Sequence, residues 1–249
     1  MKISFCPYVQ PQFCSNTRVY RAEDGNPVGT YTRLFRTDFD WDRSTDFMVK
    51  HFKDKENVQF IQFASSDGSE AYTQIISLLE NYDNVDKFFP IQAYDIDTEI
   101  CNAAKSGLLN INVLDKKRVE KHGINFNKYF KLSDKELNID ADTLKDACLH
   151  IKPSKTFKVS QSLTDRVKFQ NADMFNILKK HEDNSNTVIM CRNVLFFFSD
   201  REIDQFTTLA ACKLKKGSLF ITGEYDQKIN ESLETKGFIR VMPNVYMQS

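Results

Sequence analysis

Residues 57–80 read NVQFIQFASSDGSEAYTQIISLLE, and this stretch decides the fold. Its first part, 57–64, is short and mostly apolar, as expected of a buried strand. The small and polar residues of 65–68 (SSDG) favour a tight turn. From Ser69 onward, apolar residues recur at helical spacing until 81–84 (NYDN) interrupts the pattern. The stretch therefore predicts a strand, a loop and a helix.

The same unit recurs along the chain. Asp97 is placed to cap a second helix, and Ser199 with Glu202 forms a capping box before a later one. Gly107 and Gly217 are placed to end these two helices. The further strands are expected at 88–96 (FFPIQAYDI), from Val167 onward, at 187–191 (TVIMC) and at 218–222 (SLFIT).

The C-terminal stretch has a different pattern. Residues 238–241 (FIRV) and 245–247 (VYM) flank Pro243-Asn244 and predict a hairpin. Upstream of it, the alternation of strands with helices indicates a parallel sheet covered on both faces. The predicted fold class is therefore α/β, a Rossmann-like doubly wound sheet that is mostly parallel and carries a C-terminal antiparallel hairpin.

The alternation is interrupted between residues 108 and 166. This region is polar, and it contains the turn Lys152-Pro153-Ser154 and a short strand at 156–160 (TFKVS). We interpret it as a small β-containing subdomain inserted before the third strand. The whole chain, 1–249, is predicted to form one domain, which begins with an N-terminal segment at 1–53.

Composition and charge exclude several classes of function. Lysine plus arginine number 34 and aspartate plus glutamate also number 34, so duplex nucleic acid is not an expected partner. The longest apolar run, Val194–Phe198, is too short to cross a bilayer, and the first residues lack a signal peptide. We therefore expect a cytoplasmic protein without membrane insertion.

The six cysteines contain no C-x-x-C pair, so we expect reduced thiols. The four histidines show no paired metal-ligand spacing, so we expect no metal site.

Polar residues follow four of the predicted strands. The first strand runs into Ser65–Gly68 with Glu70 beyond it, and the others end at Asp95, at Asp173 and at Arg192-Asn193. In an open parallel sheet, ligands bind beyond the carboxyl ends of the strands. An acid after the second strand is suited to accept hydrogen bonds from the ribose of a nucleoside. Taken singly, each residue is equally typical of a turn or a helix cap, so the prediction depends on their order.

The order of these residues resembles one family closely. The chain is similar to the CheR family of chemotaxis-receptor glutamate methyltransferases from about Thr30 to its C-terminus. The motifs that carry the resemblance are 191–194 (CRNV), 93–98 (AYDIDT, the family's D-I-D-T), 66–72 (SDGSEAY, the family's S-T-G-E-E-P-Y) and 30–36 (TYTRLFR, the family's N-x-T-x-F-F-R). The resemblance implies a class I methyltransferase fold and S-adenosylmethionine as the methyl donor, with S-adenosylhomocysteine as product.

The resemblance also implies a role for each residue at the strand ends. Asp95 would hold the ribose, and Glu70 would lie near the amino group of the donor. The adenine would lie against Asp173 and Met174. The remaining expected cofactor-binding residues are Thr30, Thr32 and Arg36 at the methionine end, and Arg192 and Asn193 below the reacting sulfonium.

Arg36 is the predicted catalytic residue. Its guanidinium matches a carboxylate with two parallel hydrogen bonds, so it is suited to orient an anionic methyl acceptor such as a protein glutamate. An ionised glutamate needs no general base, so catalysis would consist of positioning. The alternative is a surface ion pair between Arg36 and Asp38 or Asp40.

Departures from the family pattern leave the acceptor open. Only about thirty residues precede Thr30, too few for the family's N-terminal helical domain, and Phe197 stands at the position of the family's tyrosine. In the cofactor loop, Asp67, Ser69 and Ala71 replace family-typical residues. The alternatives are a methyltransferase for another protein or a small molecule, and a non-catalytic S-adenosylmethionine-binding sensor or scaffold. A dehydrogenase is disfavoured because the first loop has Gly68 where a dinucleotide fingerprint has three glycines.

The inserted region 108–166 is expected to determine the specificity for the methyl acceptor. In the family, a small β-subdomain at this place docks a receptor tail by strand addition. The strand at 156–160 is predicted to offer such an edge, or the insertion covers the edge of the main sheet.

Overall fold

The structure is a computed structural model of the chain, and it describes residues 32–137, 154–182 and 186–249. Predicted features outside these ranges are Thr30, the Lys152-Pro153 part of a turn, Cys6, Cys14, Cys148 and His150. The described strands are β1 (Val58–Phe63), β2 (Ile91–Asp95), β3 (Leu108–Ile111), β4 (Phe130–Leu132), β5 (Lys155–Val159), β6 (Val167–Asn171), β7 (Asn186–Cys191), β8 (Leu219–Ile221), β9 (Phe238–Met242) and β10 (Val245–Gln248). The described helices are α1 (Trp41–His51), α2 (Ser69–Asn81), α3 (Thr98–Lys105), α4 (Val113–Lys121), α5 (Phe126–Tyr129), α6 (Gln161–Thr164), α7 (Met174–Lys180), α8 (Asp200–Lys213) and α9 (Gln227–Thr235).

Seven strands form the main sheet, in the order β6-β2-β1-β7-β8-β10-β9. The first five are mutually parallel, and β10 pairs antiparallel with both β8 and β9. The predicted fold class, with its C-terminal hairpin, is therefore confirmed. Since β6, β2, β1 and β7 are parallel neighbours, their carboxyl ends lie side by side at one edge of the sheet.

Two hydrophobic clusters cover the two faces of the main sheet. In β1, Phe60 packs into a cluster with α1 and α2, whereas Ile61 and Phe63 pack into one with α7, α8 and α9. Fully burying such side chains contributes roughly 1.5–3 kcal/mol each, so both helical layers are firmly held against β1. The central strand is consequently a rigid base for the loop that follows it.

The second sheet is antiparallel, with the order β3-β5-β4, and all its strands lie within 108–166. The expectation that 156–160 offers a free edge is wrong. Thr156 pairs with Asn110 of β3 on one side, and its carbonyl accepts from the Ser133 amide at 3.0 Å on the other. Because β5 is the middle strand, its backbone groups are already used, and a peptide has no edge to join there.

Local capping signals predicted the helix ends correctly. Ser199 and Glu202 form the predicted capping box of α8, and Asp97 accepts from the first amides of α3. The helices α1 and α9, by contrast, were not predicted from the sequence. In the ranges that the structure covers, no helix is long and apolar enough to cross a membrane.

Candidate functional site

Asp95 ends β2 with both carboxylate oxygens directed at backbone amides. The Ser66 amide donates to Oδ2 at 2.7 Å, and the Asp97 amide donates to Oδ1 at 2.9 Å. Each oxygen keeps a second lone pair for another donor. The residue is 8% exposed, and burial raises the pKa of its carboxyl to about 6, although these amides pull the pKa the other way. The carboxylate is thus rigidly oriented and costly to ionise.

The loop after β1 brings its backbone to Asp95. Ala64 and Ser66 have left-handed φ values of 51° and 50°, and Gly68 has a φ of 91°. Such values in residues other than glycine store strain and cluster at functional sites. A Cβ on Gly68 would lie 2.5 Å from the Phe169 ring, so this position requires glycine. The loop thereby places Ser66 at Asp95 and starts α2.

Asp173 and Met174 begin the helix after β6. The Asp173 carboxylate accepts from the Asn176 amide at 2.9 Å and so caps α7, while Met174 is buried. The Ala172 amide donates to the Asp95 carbonyl at 3.0 Å. The residues predicted at the ends of β6 and β2 are therefore brought together.

Arg192 lies at the centre of a buried ion cluster at the end of β7. Its side chain is 0% exposed, with Nη1 donating to Glu70 Oε1 at 2.8 Å and Nη2 donating to Asp38 Oδ1 at 3.1 Å. The guanidinium carbon lies 4.4 Å from the ring centroid of Phe39 and 5.0 Å from that of Trp41. Aromatic faces stabilise a desolvated guanidinium, so this arginine is fixed in both charge and orientation.

Asn193 extends the cluster toward the end of β8. Its side-chain Nδ2 donates to Asp38 Oδ2 at 2.8 Å, and its amide donates to Asp226 Oδ2 at 2.6 Å. The Gly223 amide donates to the same Asp226 oxygen at 2.8 Å. A Cβ on Gly223 would lie 2.6 Å from the Asn193 backbone nitrogen, so the two loops approach as closely as glycine allows.

Arg36 joins the same cluster from the N-terminal side. Its Nη2 donates to Asp38 Oδ2 at 2.8 Å and its Nε to Oδ1 at 3.3 Å, while Nε lies 3.9 Å from Glu70 Oε1. The alternative pairing with Asp38 therefore exists, but not at the surface, since the two side chains are 13% and 12% exposed. The Phe35 amide donates to Thr73 Oγ1 at 3.0 Å and holds this stretch on α2, and Thr32 is buried nearby in sequence.

The two carboxylates of the cluster differ in their titration. Burial alone would raise the pKa of Asp38, but the charges of Arg192 and Arg36 outweigh it and lower that pKa below its usual value. Burial raises the pKa of Glu70, because the same two arginines offset burial only in part. Asp38 is therefore the firmly ionised member of the pair.

Sequence reasoning missed two residues of this site. It gave Asp38 only the role of a surface partner of Arg36, and it gave Asp226 no role. Asp226 lies in the loop after β8, at the same edge of the sheet as the other strand ends, so extending the strand-end rule to the fifth parallel strand would have pointed to this loop. For Asp38 the sequence carries no comparable signal, because its partners come from distant elements.

The chain matches the family model described as CheR methyltransferase, SAM binding domain, over residues 30–149 and 134–239. The matched ranges cover most of the chain, and the chain therefore belongs to this family. It is an S-adenosylmethionine-dependent methyltransferase, which confirms the predicted class of enzyme and the predicted cofactor. No curated protein matches the chain in sequence.

Several solved structures resemble the chain at low sequence identity. Magnesium protoporphyrin IX methyltransferase from Synechocystis PCC 6803 with bound SAM is 10% identical, with 83% of this chain and 76% of that chain covered and a TM-score of 0.37. A SAM-dependent O-methyltransferase from Thermotoga maritima is 14% identical, with 82% and 54% covered and a TM-score of 0.39. Geranyl diphosphate C-methyltransferase from Streptomyces coelicolor A3(2) is 7% identical, with 80% and 61% covered and a TM-score of 0.39. The chain thus spans little more than half the length of the latter two proteins.

Proposed function

We propose that S-adenosylmethionine binds across the carboxyl ends of β6, β2, β1 and β7. The observation that carries this proposal is a series of contacts among these four strand ends. The Ala172 amide, next to Asp173, donates to the Asp95 carbonyl, the Ser66 amide donates to the Asp95 carboxylate, and Arg192 donates to Glu70 at the start of α2. In this arrangement Asp95 holds the ribose hydroxyls with its remaining lone pairs. Asp173 and Met174 flank the adenine.

The opposite end of the site takes the methionine part of the donor. Glu70 lies near the amino group, and Arg192 with Asn193 closes the pocket below the sulfonium. Thr32 and Arg36 line the methionine end, and the family resemblance implies the same role for Thr30. The charges of the site support this assignment. Four carboxylates, those of Asp38, Glu70, Asp95 and Asp226, outnumber the guanidinium groups of Arg36 and Arg192. This balance suits the net positive charge of S-adenosylmethionine, whose sulfonium and ammonium outnumber its one carboxylate.

The catalytic contribution of the protein is positioning. When bound, S-adenosylmethionine supplies a methyl group activated by a positively charged sulfur. Arg192 and Asn193 are held by Glu70, Asp38 and Asp226, so they need no rearrangement to form the floor of the site. Holding the acceptor in line with the methyl carbon then supplies effective molarity without covalent catalysis.

The acceptor suggested by the family resemblance is a protein glutamate oriented by Arg36. Two observations support other acceptors instead. Arg36 already makes two hydrogen bonds to Asp38, so an acceptor carboxylate must first displace that residue. Phe197, at the position of the family's tyrosine, packs against Phe196 with ring centroids 3.9 Å apart and has no hydroxyl. Because Phe197 lacks the hydroxyl of the family's tyrosine, a non-catalytic S-adenosylmethionine-binding module is the second candidate function.

Purified protein, incubated with methyl-labelled S-adenosylmethionine and cell extract, tests the enzyme against the module. If the protein is an active enzyme, we expect it to transfer label to a component of the extract. This transfer should be lost in Arg36→Ala and retained in Arg201→Ala, which changes an exposed arginine. Label that survives mild base supports a hydroxyl or amine acceptor, whereas label released by base supports a carboxyl ester. Tight cofactor binding without any transfer supports the module and contradicts catalysis.

A further inference from the structure

Asp226 occupies the N-cap position of α9 without capping that helix. Aspartate is among the preferred residues at this position, because its carboxylate accepts hydrogen bonds from the first amides of the helix. Asp97, Asp173 and Ser199 do so at the starts of α3, α7 and α8. The side chain of Asp226 makes no such bond, so the first amides of α9 lack the partner that this residue type normally supplies.

The carboxylate of Asp226 is directed instead at the loops after β7 and β8. Its Oδ2 accepts from the Asn193 amide at 2.6 Å and from the Gly223 amide at 2.8 Å. Asp226 is 1% exposed, and amide hydrogen bonds to a carboxylate are short and strong away from water. A single oxygen therefore ties the two loops together at the end of the sheet.

The conformation of Asn193 depends on this contact. Its φ of 54° lies in the left-handed region, which asparagine adopts more readily than most residues but with some strain. The bond to Asp226 holds the backbone amide at this strained position. From there the Asn193 side chain donates to Asp38 at 2.8 Å, and its Oδ1 accepts from the Tyr225 amide at 3.3 Å. A Cβ on Gly223 would overlap that Oδ1, so the side chain has little room to turn.

We propose that Asp226 is a positioning residue for the sulfonium end of S-adenosylmethionine, and that it acts through the backbone of Asn193. The inference rests on the proposed function, in which Asn193 with Arg192 closes the pocket below the sulfonium. Asp226 itself is buried between the two loops, so it acts through Asn193 and not by contact with the reacting atoms. Its main contribution is an acceptor oxygen at a fixed place, and the missing cap of α9 is the structural cost.

Calorimetric titration of S-adenosylmethionine and S-adenosylhomocysteine into the wild type, Asp226→Ala and Asp226→Asn tests this inference. The two ligands differ at sulfur, where only S-adenosylmethionine carries the methyl group and the positive charge. We expect Asp226→Ala to weaken S-adenosylmethionine at least roughly tenfold and S-adenosylhomocysteine at most roughly threefold, because the displaced Asn193 lies at the sulfur. Asp226→Asn keeps an oxygen that accepts from both amides, so both affinities should stay within roughly threefold of the wild type.

Asp226→Ser separates the position of Asn193 from the stability of α9. Serine is a preferred N-cap residue, and its shorter side chain is suited to cap α9 while it releases the Asn193 amide. We expect the same selective loss of S-adenosylmethionine affinity as in Asp226→Ala, and this variant decides if Asp226→Ala fails to fold. Wild-type affinity in Asp226→Ser would overturn the inference.

Ser199→Ala is the matched control, because it removes the cap of α8 outside the site. It should lower the melting temperature and leave both affinities unchanged. Equal losses for the two ligands in Asp226→Ala would show a structural role alone, and an affinity as low in Asp226→Asn as in Asp226→Ala would assign the effect to charge. Either result, or no loss in Asp226→Ala, overturns the inference. Absence of binding of both ligands to the wild type would instead contradict the proposed function.

Discussion

Arg192 and Asp38 form a buried ion pair, with Nη2 and Oδ1 3.1 Å apart, although 154 positions separate them in the sequence. The pair joins the segment before α1 to the end of β7, and Arg192 also binds Glu70 in the first turn of α2. Three separate parts of the chain therefore depend on one guanidinium. Its removal affects both the fold and the site.

We expect Arg192→Ala to lower the free energy of unfolding by about 3–5 kcal/mol, because the buried carboxylate of Glu70 loses its hydrogen-bonded partner. Asp38 loses one of its two guanidinium partners and keeps Arg36. Urea denaturation followed by circular dichroism measures the change. The control is Arg201→Ala, an exposed position in α8 where the expected change is within about 0.5 kcal/mol. A loss below about 1 kcal/mol in Arg192→Ala would show that the cluster is not a stabilising contact.

Gly223→Ala tests the close approach of the loops after β7 and β8. The new Cβ would lie 2.6 Å from the Asn193 backbone nitrogen, so one loop must shift. Overpacking of this kind costs about 1–3 kcal/mol, and we also expect cofactor affinity to fall because Asn193 moves. Calorimetric titration and urea denaturation measure the two effects. Gly123→Ala introduces no close contact, since no atom lies within 4 Å, although its φ of 75° strains an alanine there, so it should leave cofactor affinity unchanged. Equal losses of cofactor affinity in both variants would argue against the loop contact.

The pKa of Asp95, raised to about 6 by burial, predicts a pH dependence of cofactor binding. Below pH 6 the free protein carries a neutral Asp95, which is a poorer acceptor for ribose hydroxyls and attracts a cation less. We expect affinity to fall between pH 7 and pH 5 by up to roughly tenfold per pH unit below 6. Titration of S-adenosylmethionine across this range measures it, with Asp95→Asn as the control that removes most of the slope. A flat profile in the wild type would contradict the role of Asp95.

Asp67→Asn is expected to stabilise the protein at neutral pH. Burial raises the pKa of Asp67 to about 6, above its value in the unfolded chain, so the folded state holds this proton more tightly. Stability therefore falls as pH rises from about 4 to about 6, and the penalty is complete above that range. Because Asp67 is only partly buried, the expected gain is about 1–2 kcal/mol at pH 7, vanishing near pH 4. Thermal unfolding at both pH values tests this, and an equal effect at both would refute the titration argument.

The sequence predicted those parts of the fold that depend on local pattern. Apolar runs located the strands of the main sheet, and the Ser199–Glu202 pair located the start of α8. The helix α9 was missed because the buried Ile229 and Leu233 alone mark its apolar face. The strand predicted at 156–160 exists as β5, but its expected place at a sheet edge was wrong, because strand order in a small antiparallel sheet depends on partners distant in sequence.

In the candidate site, too, the residues that follow a local pattern were predicted and a residue placed by distant contacts was not. Glu70, Asp95, Asp173 and Arg192-Asn193 follow strands, so the topology of a parallel sheet is enough to predict that they meet at one edge. Asp38 is different, because the folded chain alone places it between Arg36, Arg192 and Asn193. Its isolated acidic side chain, close to an arginine in the sequence, is more typical of a surface pair.

The central claim is that the carboxyl ends of four neighbouring strands hold one nucleoside through Asp95. Calorimetric titration of S-adenosylmethionine and S-adenosylhomocysteine into the wild type, Asp95→Ala and Asp97→Ala tests it most directly, since Asp97 caps α3 two residues away. We expect micromolar affinity, of order −8 kcal/mol, in the wild type and in Asp97→Ala, and loss of most of it for both ligands in folded Asp95→Ala. Unchanged affinity in Asp95→Ala would contradict the claim.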